Sequence, residues 1–570
     1  MAKEKMIFTD LKDMLNKTEE LYKDRPAFKL ETKTPGELKI ITHKEYREQI
    51  RALGTSLVAL GLQGERIAVI SENRYEWGLA YLAIATGTGV VVPLDRALPP
   101  NEIESLIERS EVKAIFYSSK YNETMDEIRE AGKSKIKYFI SMDLTEKSGE
   151  VYSQKELTEK GNKLIETGDR RFLESKIDNE KMGIMLFTSG TTSISKAVML
   201  SHKNIISNVM DIRASFEFNE TDTLLSFLPL HHVFECTAGF LYAISKGSSI
   251  VFSKGAKHIA DELKQFQITA MISVPAVYDI MYRKLMKTIE KKGKLETVKK
   301  GIKISSALLK FKIDFRKKLF SEIHNNLGGK LRFLVAGGAA LDPETERGFR
   351  ALGFNLLQGY GLTETAPVVA VGLTKCRKTG SIGKKVPSVE VKILEPNEEG
   401  IGELIVKGPN VMLGYYNNEE ATKEAIDADG WFHTGDLAKI DKEGFIFITG
   451  RKKNVIVLQN GKNIYPEELE ILINKIEGIK ESMIYGTPEN GDLTISAKVV
   501  YDKVSMKDLY NLETEEQIQE FINDEIKKIN KTMPAYKYIR NVIITEEELI
   551  KTTTLKIKRH EEIKKILNGK

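Results

Sequence analysis

Residues 187–203, FTSGTTSISKAVMLSHK, hold the densest set of groups in the chain that can do chemistry. Small hydroxyl residues and glycine offer many N–H and O–H donors with little bulk, and Lys196 adds a point charge. That combination suits a polyphosphate held closely. It is not a Walker A loop, which needs glycine at position 195, where this chain has Ser195. Read alone, an ordinary polar loop between two strands explains the stretch about as well.

Four further clusters follow it along the chain. They are GGAALD at 337–342 with QGYGLTET at 358–365, DGWFHTGD at 429–436, GRKKNVIVLQNGKNIYPEE at 450–468, and TTTLKIKR at 552–559. In this order and spacing the series resembles the AMP-forming acyl-activating (ANL) superfamily: acyl-CoA synthetases, luciferases and the adenylation domains of peptide synthetases. The resemblance runs from about residue 10 to the C-terminus. It implies a reaction in two halves. A carboxylate attacks the α-phosphate of ATP to give acyl-AMP and pyrophosphate, and a thiol then displaces AMP. Because one anion must attack another, such an enzyme has to neutralise phosphate charge and fix an in-line geometry.

The resemblance also assigns roles. Thr188, Ser189, Gly190, Thr191, Thr192 and Lys196 would form the phosphate loop. Glu364 would hold Mg2+ with Thr188 as a second oxygen ligand, a donor set that a hard cation prefers. Tyr360 would offer its ring to the adenine within the run Gln358, Gly359, Tyr360, Gly361 and Thr363, with Gly337, Gly338 and Ala339 allowing close backbone approach. Asp436 would accept hydrogen bonds from both ribose hydroxyls, supported by Arg451. Lys453 falls where related enzymes have the hinge between their domains, and Lys556 matches the catalytic lysine that contacts the reacting carboxylate and α-phosphate. The chain departs from the usual pattern at Ser193, Ser195, Ala197 and Ala340, where glycine, proline, glycine and proline are common.

The pair His231–His232, with Glu235 nearby, suggests a metal at first sight, but no other His or Cys cluster supports zinc. The run LPLHHVFEC instead resembles the segment lining the acyl pocket and nucleotide of long-chain fatty acyl-CoA synthetases, with His232 as the position carried over. Together with YGLTETAPV and NGKNIYPEE it points to the long-chain branch. Aryl and medium-chain acids stay open, as does the phosphopantetheine of an acyl carrier protein in place of CoA. A luciferase-like oxygenase and a non-catalytic nucleotide-binding homologue would share the same nucleotide motifs.

The elements that must position these groups alternate. ERIAVIS (65–71), KAIFYSS (113–119) and QITAMISVP (267–275) read as buried strands, each followed by an amphipathic helical stretch. This pattern predicts α/β layers around mostly parallel sheets. AYLAIATGTGVVVPL (80–94) reads as a buried helix entering a buried strand, and 284–320 as helix with a solvated basic face. VEVKIL (389–394) and GELIVKG (402–408) predict a β-hairpin within a β-rich subdomain at about 370–450. The expected organisation is a layered α/β AMP-binding domain at 1–450, including that subdomain, and a small mobile α+β domain at 454–570 carrying Lys556, with the hinge near Lys453.

Composition is consistent with this reading. At 570 residues the chain is too long for one core, and a net charge of +5 over 86 basic and 81 acidic residues suggests no nucleic acid. Two cysteines, Cys236 and Cys376, cannot build a disulfide scaffold and fit a reducing compartment. No stretch reads as a signal peptide or membrane span, so a cytoplasmic enzyme is expected, with peripheral membrane contact left open by a fatty substrate. Oligomeric state is not legible.

Overall fold

Short apolar runs, such as Ala114–Tyr117 and Val368–Val371, are buried along their whole length, as strands covered on both faces must be. The computed structural model describes residues 6–568 except 33, 35, 189–194, 375, 459–461, 490–491 and 552–556.

Among the described residues, two large sheets of nine and eight strands carry the N-terminal part. Their central strands are parallel. The first sheet continues through Thr223–Ser226, Ala270–Ser273, Phe333–Ala336 and Leu356–Gly361, all parallel neighbours. The second is built on Arg66–Ile70 with Val90–Pro93 and Ala114–Tyr117 on either side. The first sheet ends in antiparallel pairs on both sides and the second on one, where Met182–Thr188 with Lys196–Ser201 brackets the hydroxyl-rich run. The buried helix Tyr75–Ala83 passes through a π-helical turn, Ile84–Thr88, into the strand Val90–Pro93.

The hairpin Glu390–Leu394 with Gly402–Lys407 is present, and Phe432–Ile440 and Ile446–Arg451 extend it to a four-stranded sheet. The predicted β-rich unit is less independent than composition suggests. Val368–Val371 joins the first large sheet and Gly414–Tyr415 the second, so this region ties both sheets together.

After residue 455 a separate hydrophobic cluster gathers Ile464, Leu469, Ile484, Val499, Ile518 and Ile522. Its three strands, Ile479–Glu489, Asp492–Tyr501 and Asn541–Thr545, carry the helices Pro466–Ile473 and Glu515–Asn530. The architecture is thus a large α/β domain with mixed sheets and a smaller α+β domain. No described helix is long and apolar enough to cross a membrane.

Candidate active site

Antiparallel pairing sets Thr188 directly opposite Lys196, and the Thr188 hydroxyl lies 3.4 Å from the Lys196 carbonyl oxygen. The Lys196 ammonium sits 4.8 Å from the centroid of the Tyr415 ring, a cation–π contact. The Tyr415 hydroxyl donates in turn to Glu364 Oε1 at 2.9 Å. Burial, and then the Glu364 charge, hold the Tyr415 phenol well above its ordinary range, so it remains a donor. An ammonium and a carboxylate from separate segments therefore converge on one tyrosine, with the Thr188 hydroxyl on the strand opposite Lys196. The hydroxyl and carboxylate are oxygen donors of the kind Mg2+ takes, and the ammonium suits phosphate.

Glu364 is held by its backbone. It lies in the short 3-10 turn Thr363–Thr365, where its carbonyl accepts from Met412 N at 2.8 Å and Asn410 Nδ2 donates to the Thr365 carbonyl at 2.9 Å. Ser189, Gly190, Thr191 and Thr192 lie outside the described residues, as does Lys556. The flanks of both segments are well anchored. Arg109 Nη2 donates to the Ser195 carbonyl at 2.6 Å and Nη1 to its hydroxyl at 3.2 Å, while the guanidinium stands 5.4 Å from the Phe187 ring centroid. On either side of 552–556, Lys551 bridges to Ile557 and Lys558 N donates to the Ile550 carbonyl.

A second cluster forms at the end of the strand Leu356–Gly361, which carries Gln358, Gly359, Tyr360 and Gly361. The Tyr360 hydroxyl donates to Asp436 Oδ2 at 2.5 Å, and Arg451 Nε stands 2.7 Å from Asp436 Oδ1. Asp436 and Arg451 face each other across paired strands, so the register of the small sheet fixes this ion pair. Asp436 is 4% exposed, and a carboxylate so buried needs the partners it has. Lys453 is exposed on the turn Lys452–Asn454, two residues from Arg451.

The third side is apolar. Gly337 leaves the strand Phe333–Ala336 under the Phe234 ring, where a Cβ would come within 2.6 Å of a ring carbon. Gly338 has φ +83°, a left-handed conformation that favours glycine, and Ala339 beside it is exposed. Beyond Gly359 lies a narrow cavity lined by Phe216, Phe218, Phe234, Ala238, Tyr242 and Val368, among others, with no charged side chain. His232 sits two residues before Phe234, its ring centroid 4.1 Å from that of His231. His231 Nε2 is 3.2 Å from Asp95 Oδ1, and no fourth ligand joins Asp95, His231 and His232 among the described residues. Glu235 is not part of this group. It is fully buried, no hydrogen bond of good geometry reaches its oxygens, and burial pushes its carboxyl up to about 8, opposed by the nearby Ser226 hydroxyl.

Thr188 thus faces Lys196, Tyr415 links Lys196 to Glu364, Tyr360, Asp436 and Arg451 form a second group, and the five residues from Tyr360 to Glu364 join the two. Sequence reasoning passed over Tyr415 and Arg109. Neither stands in a recognisable spacing, and each matters through a contact more than 200 or 80 residues away.

Residues 15–416 match the family of AMP-binding enzymes. The chain is 30% identical over 492 residues to the peroxisomal long chain acyl-CoA synthetase 6 of Arabidopsis thaliana, covering 82% of this chain and 69% of that protein. It is likewise 30% identical over 499 residues to a long-chain-fatty-acid–CoA ligase of Salmonella typhimurium, covering 82% and 81%. ATP-bound MatB from Rhodopseudomonas palustris shares the fold, with a TM-score of 0.75 at 23% identity over 98% of this chain and 99% of that one. The chain belongs to the AMP-binding enzyme family. It is an AMP-forming acid–thiol ligase, which activates an acid with ATP through an acyl-adenylate.

Proposed function

We propose that the acid is a long-chain fatty acid and that the thiol is CoA, so that the product is a fatty acyl-CoA. The observation that carries the chain class is the charge-free cavity that begins at Gly359, beside Tyr360. Its all-apolar lining suits an aliphatic chain rather than a polar acid, and each methylene buried against such a wall is worth roughly 0.8 kcal/mol. The two relatives above, named for long-chain acids, support the same reading.

Within it, Thr188 and Glu364 hold Mg2+ against the phosphates, and Lys196 neutralises their charge. The segment Ser189–Thr192 supplies further N–H and O–H donors. Tyr360, flanked by Gln358, Gly359, Gly361 and Thr363, stacks on the adenine, with Gly337, Gly338 and Ala339 on its other side. Asp436 and Arg451 take the ribose. His232 stands between nucleotide and acyl chain. Lys556 contacts the α-phosphate and reacting carboxylate in the first half-reaction, then leaves as the small domain turns about Lys453. The free cysteines Cys236 and Cys376 fit a reducing cytoplasmic setting.

Carboxylate-dependent exchange of labelled pyrophosphate into ATP, over a panel of saturated, aryl and short acids, tests the substrate class. Exchange should be highest with long saturated chains. Highest exchange with an aryl acid would overturn the assignment. Product formation with CoA, compared with an acyl carrier protein, then tests the acceptor.

A further inference from the structure

Charge is unevenly placed along this chain. Residues 283–319 hold fourteen Lys and Arg against three Asp and Glu, a local surplus of +11, whereas the whole chain has +5. The remainder is therefore net acidic, and the basic character of the protein resides in one stretch. It forms the end of the helix Pro275–Lys291, the helix Leu295–Lys310, and the segment leading to the short helix Arg316–Leu319.

The helix Leu295–Lys310 packs in an unusual sense. Inward it presents Val298, Gly301 and Ser305, and a Cβ on Gly301 would stand 3.2 Å from the Phe320 ring. Leu295 and Ile302 pack partly against the same core, but several other large side chains face out. Ile304 is 59% exposed, Phe311 just beyond the helix 77% and Phe315 50%, with Leu309, Ile313 and Leu319 also exposed. A helix and turn serving only the core would not leave this many large apolar residues in solvent. Interleaved with these apolar groups are Lys303, Lys310, Lys312, Lys317 and Lys318, none of them paired with a carboxylate among the described residues. Asp314, the acidic residue in their midst, is already neutralised by Arg316 at 2.7 Å.

We propose that this face, centred on Phe311 and Phe315, is a docking surface for an anionic lipid bilayer. Flexible lysines around protruding phenylalanines and aliphatics are what such an interface takes: the apolar groups enter the acyl boundary, and the ammonium groups remain among the phosphates. A nucleic acid would find the charge but has no use for exposed Ile304, Ile313 and Leu319. The attachment is peripheral, because no described helix spans a membrane. The inference does not depend on which acid the enzyme activates.

The test is sedimentation of the full chain with vesicles of phosphatidylcholine alone or with phosphatidylglycerol added, at low and high salt. The protein should pellet with the anionic vesicles and be released by salt. The variant K310E/K312E/K317E/K318E, and separately F311S/F315S, should each lose more than about tenfold in partitioning. Both should keep pyrophosphate exchange with a soluble acid, since none of these residues lies in the site. In F311W, tryptophan emission should shift to the blue on adding anionic vesicles. Equal binding to neutral vesicles, partitioning unchanged in either variant, no emission shift, or retention of RNA in preference to vesicles would each overturn the proposal. Absence of exchange would instead strike the catalytic reading and leave the vesicle result standing.

Discussion

The Tyr360 hydroxyl rests 2.5 Å from Asp436 Oδ2, although the two residues lie 76 positions apart. Asp436 spends its other oxygen on Arg451. The carboxylate proposed for the ribose is thus oriented by a phenol and a guanidinium. The phenol stays protonated, since burial and the Asp436 charge raise it well above its usual range. Replacing the carboxylate by an amide of the same shape removes the charge that pairs with Arg451. Hydrogen bonds to charged groups contribute about 1.5–3 kcal/mol. D436N should therefore raise KM for ATP by about tenfold or more, read by pyrophosphate exchange alongside a melting curve. An unchanged KM in a folded variant would remove Asp436 from the nucleotide site.

Much of this was legible in the chain. The apolar core of KAIFYSS and the turn-rich EPNEEGIG announce a buried strand and a hairpin by local chemistry, and both form. Thr188 and Lys196 could be named because they bracket a distinctive run, and Asp436 and Arg451 because each sits in a motif. Tyr415 and Arg109 could not. Their roles arise from tertiary contact, Tyr415 through the sheet edge that pairs Gly414 with Met199, and no periodicity encodes that. The basic stretch 284–320 read correctly as helical, but which of its residues turn inward depends on Phe320 and its neighbours rather than on pattern. The spread of Val368–Val371 and Gly414–Tyr415 into two different sheets was likewise invisible, because partner choice among strands is a property of the fold.

Arg109 matters because of what Ser195 replaces. A proline there would stiffen the end of the proposed phosphate loop by fixing φ, and serine cannot do so. The guanidinium supplies an external brace instead, with two hydrogen bonds to Ser195 and its plane near the Phe187 ring. Lysine cannot make the same planar fork. R109K should fall with R109A, each lowering exchange by about tenfold while leaving the melting temperature nearly unchanged, because the residue is exposed. S195P should recover part of the activity of R109A. If R109A exchanges like the parent, the brace has no bearing on the loop.

The far wall of the apolar cavity is aromatic. Phe218 packs at 5.1 Å from Tyr242 and 5.4 Å from Phe333, centroid to centroid, and the Tyr242 hydroxyl donates to the Phe216 carbonyl. Phe216 is less buried than Phe218, so shortening it costs less packing. F216A should shift preference toward longer acids, by about fourfold in relative kcat/KM for each methylene the new space admits. Competition between two chain lengths in one tube measures this directly. An unchanged ratio would show that the acyl chain does not reach this wall.

Glu235 gives the fold a pH dependence of known sign. Its carboxyl is held at about 8 by burial, against about 4.3 in an unfolded chain, so the folded state binds the extra proton between those values. Stability from this group is therefore full below pH 4 or so, declines as pH rises through the window, and levels off above about 8. E235Q presents a neutral side chain of similar size at every pH, so its melting temperature should match the parent near the acid end and exceed it increasingly toward pH 8. The difference between the two curves is the observable, because every other titrating group cancels in it. A difference that is flat from pH 5 to 8 would mean that Glu235 is already ionised in the folded protein and has found a partner for its charge.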